Sequence, residues 1–311
     1  MEFGSGKVLH IRDPNIVKHV LNLYHNGNIP NEYFPGPQPK SIERRDFNKL
    51  HSKKYYVCEK TDGLRFLFIC TRFNNRYYSF LMNRKNDLYL LNFKFKKDVF
   101  TNTLLDGEFV KTKMGEFKFF IFDAIMVTNT KLHEKPLSER LKYIPGFLKM
   151  HKRQPTDVFT FEQKNMVVYN PSTFYNVVNK HLDVDIDGYI FTPEDDPIKS
   201  GTHDNMYKFK NCLDNSVDFQ VKTFQNVFYA YISNKLLDTH VILDSLLSLE
   251  IKQNICIVEC KFESFLNGIH YWKPIRIRND KNHSNSFYVF KKTMLNIREN
   301  IQIEEFFNVA C

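Results

Sequence analysis

The chain has 311 residues, of which 42% are hydrophobic, with 30 Phe, 16 Tyr, 11 Gly and 12 Pro. That is enough apolar material for one large domain or two ordinary ones, and it excludes intrinsic disorder and a loop-dominated fold. The 44 basic against 35 acidic side chains leave a formal charge of +9, which favours a polyanionic partner such as a nucleic acid or nucleotide. No apolar run reaches membrane-span length and no signal-peptide pattern opens the chain, so a cytoplasmic protein with no membrane partner is expected. The first six residues, MEFGSG, look like an expression-vector scar.

In chain order, DPNIVKHVLNLYH opens with Asp13 as an N-cap and Pro14 at the first helical position, followed by Ile16, Val17, Val20, Leu21 and Tyr24 at helical spacing. A Pro-rich connector, GNIPNEYFPGPQPKSIERRDF, follows. From Tyr55 to Val127 short apolar runs alternate with polar turns (YYVCEK, RFLFIC, YYSFLMN, DLYLLN, LLDGEFV, KFFIFDAIMV), the pattern of a mostly antiparallel sheet. PLSERLKYIPGFLKM reads as one amphipathic helix with Pro136 near its start, and NPSTFYNVVNKHL as another, before the strands of IDGYIFTP and MYKFK. Past about Asp218 the segments SVDFQVKTF, VFYAYIS, HVILDSL and NICIVECKF have the texture of a small barrel, and the tail ends in a helix. The fold class predicted is α+β, with a domain of antiparallel sheets flanked by helices over 7–217, a small barrel over 218–290 and a C-terminal helix over 291–311 that packs back on the first domain.

Cys58, Cys70, Cys212, Cys256, Cys260 and Cys311 show no C-x-x-C pair and no zinc spacing. Cys256 and Cys260 lie four apart in an expected strand, too far to bridge, so reduced core thiols are expected. The histidines form no ligand-spaced set.

The stretch YYVCEKTDGLRFLFIC places Lys60, Asp62 and Arg65 around Gly63, between two apolar runs. A lysine at a strand end is ordinarily a solvated surface group. Here Asp62-Gly63 makes a tight turn directly after it, Arg65 lies within reach of a shared ligand, and the apolar flanks partly desolvate the ammonium. Desolvation favours the neutral amine that a nucleophile needs, and arginine offers a planar fork to oxygen acceptors.

Downstream, LLDGEFV, FFIFDAIMV, DIDGYIFTP, MYKFK and RIRNDK each put charged residues at the end of an apolar strand. In that order, spread from residue 60 to 281, these motifs resemble the covalent nucleotidyltransferase superfamily, which comprises messenger RNA capping guanylyltransferases and ATP-dependent polynucleotide ligases. FPGPQPKSI looks like the capping F-P-G-x-Q-P-V-S segment, and D-G-x-I-F-T-P begins with Asp187 where ligases usually carry E-G. KFKNCLDNSVDF is similar to the capping K-W-K-P and N-T-[IV]-D-F segments, with Phe209 for tryptophan and Asn211 for proline. RNDKNHSN resembles R-x-D-K-x-x-P-N, with Ser284 for proline. The richness in Asn, Lys, Phe and Tyr suggests an AT-rich genome, and the chain looks most like the guanylyltransferase segment of a large DNA virus capping enzyme.

The resemblance implies that Lys60 attacks the α-phosphate of GTP, releases pyrophosphate and carries GMP to the 5′-diphosphate end of RNA. The runner-up is an ATP-dependent RNA or DNA ligase using the same lysine chemistry. Arg65 and Glu108 would hold the ribose, and the Phe122 ring would stack on the purine while Asp123 braces the strand. Asp187 would bind Mg²⁺ or Mn²⁺, with Asp183 and Asp185 solvated. Lys208 and Lys210 alternate along MYKFK and would grip the α-phosphate together. Arg278, Asp280 and Lys281 would clamp the β- and γ-phosphates when the second domain closes. By the same resemblance residues 7–217 would be the nucleotidyltransferase domain and residues 218–290 an OB-fold barrel, which Trp272 would pack. Triphosphatase and methyltransferase domains would flank the segment in a viral parent protein. No motif identifies the groups that select guanine.

Overall fold

A computed structural model of the chain describes residues 2, 3, 6–25, 34–224, 227–237, 239–242, 251, 255–279 and 281–307. Contacts divide the chain into two units, Met1–Lys40 with Asn48–Lys208 and Val309–Cys311, and Ser41–Phe47 with Phe209–Asn308.

The first unit holds two sheets. One runs Thr130–Lys131, Phe117–Val127, Thr103–Lys111, Leu64–Phe73, Arg76–Met82, Leu88–Leu91 and Leu9–Ile11, with Thr160–Gln163 parallel to Phe117–Val127. The other runs Val167–Val168, Tyr55–Thr61, Ile186–Pro193, Gly201–Phe209 and Pro37–Ser41. The single sheet expected over Tyr55–Val127 is therefore split at Asp62-Gly63, where the chain passes from one sheet to the other. The turn needs glycine for close approach, since a Cβ at Gly63 would lie 2.5 Å from the Phe109 carbonyl oxygen.

The Leu64–Phe73 strand is buried on both faces, which is why its sequence is a continuous apolar run. Phe66, Phe68 and Cys70 enter an aromatic cluster with Phe95, Phe119, Phe147 and Phe159. Leu67 and Ile69 face Ile16 and Val20 of the Pro14–His25 helix, together with Phe34, Phe80 and Met82. Asp13 caps that helix, accepting from the Asn15 amide at 2.9 Å, and Asn170 caps Pro171–Val178 with Pro at the first helical position.

The long helix expected over PLSERLKYIPGFLKM is instead two short ones, Leu137–Leu141 and Tyr143–Leu148. Pro145 has no amide to give the Leu141 carbonyl, so the helix cannot run through. Gln163 Nε2 donates to that carbonyl at 3.4 Å in its place.

The second unit is built on a six-stranded sheet in the order Lys235–Leu236, Val227–Ile232, Ser216–Phe224, Ile255–Leu266, Ile269–Ile277 and Thr239–Val241. The sequence places the domain boundary at 217/218. The contacts divide the chain at Lys208/Phe209, because the turn before Ser216 is tied to the sheet: Lys261 pairs with Asp214 at 2.8 Å and the Phe262 amide donates to the Asn215 carbonyl at 3.1 Å. Val217, Phe219, Val221, Val258, Cys260 and Trp272 form the core. Phe287, Phe290, Met294 and Ile297 of the Phe287–Glu299 helix pack against it. The helix starts at a Ser286 cap and ends at Asn300, whose φ of 43° is left-handed. Most of HVILDSL lies outside the described residues.

Cys58, Cys70 and Cys260 are buried free thiols, and no disulfide forms among the described residues. Among the described residues no helix is long and apolar enough to cross a membrane.

Candidate active site

Lys60 and Asp187 come from neighbouring strands. Ile186 pairs with Thr61 and Tyr189 with Glu59, so Asp187 and Gly188 together oppose the single residue Lys60. This is a β-bulge, and Gly188, at φ 140°, permits it. The extra residue turns the Asp187 carboxylate toward the lysine, and Lys60 Nζ donates to Asp187 Oδ1 at 2.6 Å. The two side chains are 25% and 27% exposed. The lysine therefore sits against an anion at the edge of a cleft, rather than on the purely apolar seat its sequence flanks suggest.

The cavity beside this pair is lined by Cys58, Lys60, Arg65, Arg84, Glu108, Phe122, Lys164, Met166, Ile190, Thr192 and Met206, among others. Strand alternation orders its walls. Cys58 and Ile190 are cross-strand partners one step from Lys60, and Thr192 opposite Tyr56 lies one step further. Burial pushes the Cys58 thiol up to about 12, which makes it an inert wall group.

Arg65 and Glu108 are cross-strand partners in the other sheet. Burial pushes the Glu108 carboxyl above the usual carboxylate range, against the pull of Lys60 and Arg65. The Arg65 fork is held by the protein: Nε donates to Asp106 Oδ1 at 2.9 Å, Nη2 to Asp106 Oδ2 at 2.5 Å, and Nη1 to the Pro37 carbonyl at 2.6 Å. Burial works against its charge, and the Asp106 carboxylate outweighs that.

Phe122 lines the cavity from a second bulge, since Ile121 pairs with Gly107 and Asp123 already with Asp106. Asp123 braces the strand as expected: Arg140 Nε donates to its Oδ1 at 2.7 Å and Nη2 to its Oδ2 at 3.0 Å, with both side chains buried.

Asp183 pairs with Lys118 at 3.1 Å and Asp185 is 82% exposed, so neither is in the cavity wall. Among the described residues no group of three or more His, Cys, Asp or Glu side chains is arranged to hold a metal. A single partly exposed carboxylate at the edge of a cleft is a donor of the kind that Mg²⁺ or Mn²⁺ takes. Such ions commonly take one or two protein carboxylates and complete their shell with substrate phosphates and water.

Lys208 lies on the Gly201–Phe209 strand, on the same face as Met206 of the cavity wall. Lys210 lies one residue past the strand end, at the start of the second unit. Arg278 and Lys281 belong to the second unit, where both meet the buried Asp218 of the NSVDF segment. Arg278 Nη1 reaches Asp218 Oδ1 at 3.1 Å and Glu259 Oε2 at 3.3 Å, and Lys281 Nζ bonds Asp218 Oδ2. Asp280 lies outside the described residues. Trp272 is fully buried in that unit's core.

Sequence reading missed Arg84, Lys164, Thr192 and Asp106. Lys164, 7% exposed, lies 5.0 Å over the Phe120 ring, and Thr192 Oγ1 is buried without a hydrogen-bond partner. Arg84 has a local signal in retrospect, a turn organised by Asn83 that holds the Lys85 and Asp87 amides. The others lie inside ordinary-looking segments.

Residues 10–212 match the family model "mRNA capping enzyme, catalytic domain" and residues 234–307 match "mRNA capping enzyme, C-terminal domain". The mRNA-capping enzyme subunit alpha of Neurospora crassa is 26% identical over 342 residues, covering 89% of this chain and 84% of the relative. That of Saccharomyces cerevisiae is 33% identical over 226 residues, covering 63% of this chain and 49% of the relative, so the chain spans about half of that protein's length. Among solved structures, a mycobacterial DNA ligase D complexed with ATP and MES aligns with a TM-score of 0.46 at 12% identity, covering 79% of this chain and 94% of the ligase. With two matching domain models, in order and together spanning most of its length, the chain belongs to the mRNA capping enzyme family.

Proposed function

We propose that Lys60 is the nucleophile through which this mRNA-capping guanylyltransferase acts. The observation that carries the reading is the 2.6 Å contact between Lys60 Nζ and Asp187 Oδ1, at the mouth of a cavity also lined by Arg65, Glu108, Phe122 and Lys164. The proton must leave Lys60 Nζ before attack, and Asp187 Oδ1 is the acceptor it faces. The amine then attacks the α-phosphorus of GTP. A P–N bond forms, the bond to the oxygen bridging α and β breaks, and pyrophosphate leaves with the electron pair. In the second step a terminal phosphate oxygen of 5′-diphosphate RNA attacks the same phosphorus, the P–N bond breaks, and the GpppN cap is released.

Asp187 would hold the divalent cation, which supplies charge neutralisation on the phosphate oxygens when bound. Lys208 and Lys210 would contact the α-phosphate, and Arg278, Asp280 and Lys281 the β- and γ-phosphates. The purine would lie against Phe122, with Ile190 and Met206 as apolar walls. Lys164 and Thr192 are two of the polar groups in that wall that its edge would meet, beside Glu59 and Arg84: a donor-only ammonium suits the 6-oxo acceptor of guanine and repels the 6-amino group of adenine. On composition alone this reading places the source in a large DNA virus, although the relatives named above are fungal.

The test is incubation with α-labelled GTP or ATP followed by denaturing electrophoresis. A covalent GMP adduct, absent from Lys60→Ala, is expected. Labelling that survives in Lys60→Ala would remove the lysine from its role, and an exclusive AMP adduct would assign the chemistry to ligation.

A further inference from the structure

Arg65 has an expected role at the ribose, but its surroundings describe a different one. Its guanidinium lies over two aromatic rings, 5.2 Å from the Phe34 centroid and 5.3 Å from the Phe122 centroid. Asp106, fully buried, grips it bidentately, and the Pro37 carbonyl takes a third donor. The FPGPQP segment is part of the same assembly. A Cβ at Gly36 would overlap both Arg65 Nη2 and Asp106 Oδ2, so only glycine lets that backbone lie directly on the ion pair.

Phe122 needs such a device. As the extra residue of a bulge, between Ile121 paired with Gly107 and Asp123 paired with Asp106, it is not held in register by the neighbouring strand. The Asp123–Arg140 pair fixes the backbone on one side of it, but not the direction of the ring. The side chain packed on the ring face is the Arg65 guanidinium, a planar group locked at three nitrogens.

We propose that Arg65, fixed by Asp106 and by the backbone around Gly36, is a positioning residue that holds the Phe122 ring as the platform on which the purine stacks. The proposal rests on the reading of Phe122 given above. It explains why the Phe-Pro-Gly-Pro segment, distant in sequence from the nucleophile, forms part of the site: Phe34 offers a second ring to the guanidinium, Gly36 allows the close approach, and Pro37 supplies the carbonyl. It also distinguishes Arg65 from lysine at this position, since an ammonium cannot bind Asp106 through two parallel bonds while giving a third donor to the Pro37 carbonyl from one rigid plane.

Two measurements test it, both on the whole chain. The first needs no nucleotide. With 4-fluorophenylalanine at position 122, the ¹⁹F spectrum of the parent should show one sharp resonance, and Gly36→Ala should broaden or shift it. The second is a double-mutant cycle on the kinetics of GMP-adduct formation. Gly36→Ala should raise KM for GTP about tenfold and leave kcat within about twofold, as expected when a base-stacking surface is lost. In a Phe122→Ala background the same substitution should have no further effect, because both act through one ring.

An unchanged ¹⁹F signal, or additive effects in the cycle, would overturn the clamp and leave Arg65–Asp106 a fold-stabilising ion pair or a direct ribose contact. A ¹⁹F signal that responds in a parent never labelled by GTP would support the clamp and sink the nucleotide reading instead. If Gly36→Ala loses its cooperative thermal transition, Asp106→Asn, which removes the charge but keeps the shape, replaces it in both measurements with the same expected outcomes.

Discussion

The Asp123–Arg140 pair behind the Phe122 bulge gives the sharpest stability prediction. Arg140 is 2% exposed and Asp123 5%. Both Asp123 oxygens accept from the guanidinium, at 2.7 and 3.0 Å, and Arg140 Nη1 donates to the Lys135 carbonyl at 2.5 Å. Arg140→Met keeps much of the side-chain volume but strands a carboxylate in a site closed to water. Removing one member of a buried pair costs about 3–5 kcal/mol, most of it the penalty on the orphaned charge. For a unit of roughly 200 residues this corresponds to a fall in Tm of roughly 10 °C, at about 2–4 °C per kcal/mol.

The assay is thermal and urea denaturation of the single variant beside Asp123→Asn/Arg140→Met. The double variant neutralises the stranded charge while keeping an acceptor for the Ala124 amide, now bonded to Asp123 Oδ1 at 2.8 Å. It should regain most of the lost stability. The reasoning is refuted if Arg140→Met costs less than about 1 kcal/mol, or if the double variant is no more stable than the single one.

Asp187→Ala should abolish adduct formation while nucleotide binding persists; full labelling at limiting divalent cation would contradict the metal role. Thr192→Val and Lys164→Met should each narrow the GTP-over-ATP labelling ratio about tenfold, the scale of one lost hydrogen bond in a closed pocket; an unchanged ratio would place base selection elsewhere. The first unit should weaken in mild acid. Burial holds His151, among Phe93, Phe95 and Phe161, below its ordinary 6.5 despite Asp157, and burial does the same to His203 despite Asp196. Because the unfolded chain takes up these protons first, stability is full above about pH 6.5 and falls as the pH drops toward the folded-state values. The urea midpoint should therefore decline from pH 7.5 to 5.5, less steeply in His151→Gln, and a midpoint that rises instead would contradict it.

By itself the sequence determined which residues stand as candidates for the chemistry and in what order. Turn chemistry and period-two patterning are local, so Lys60 before its Asp-Gly turn, Glu108 and Phe122 in apolar strands, and Asp187 before Gly188 could all be read from the chain. The cap at Asp13 was legible for the same reason. Only the tertiary structure decided how these side chains are aimed. Bulges at Phe122 and at Asp187-Gly188 depend on which strand lies alongside and in what register, and pairing across tens of residues leaves no local trace. The same is true of Arg65 bound by Asp106 under Gly36, of Asp218 collecting Arg278 and Lys281, and of Lys164 and Thr192 in the cavity wall. Each is an ordinary residue in its own segment, and acquires a role only from neighbours that folding brings to it.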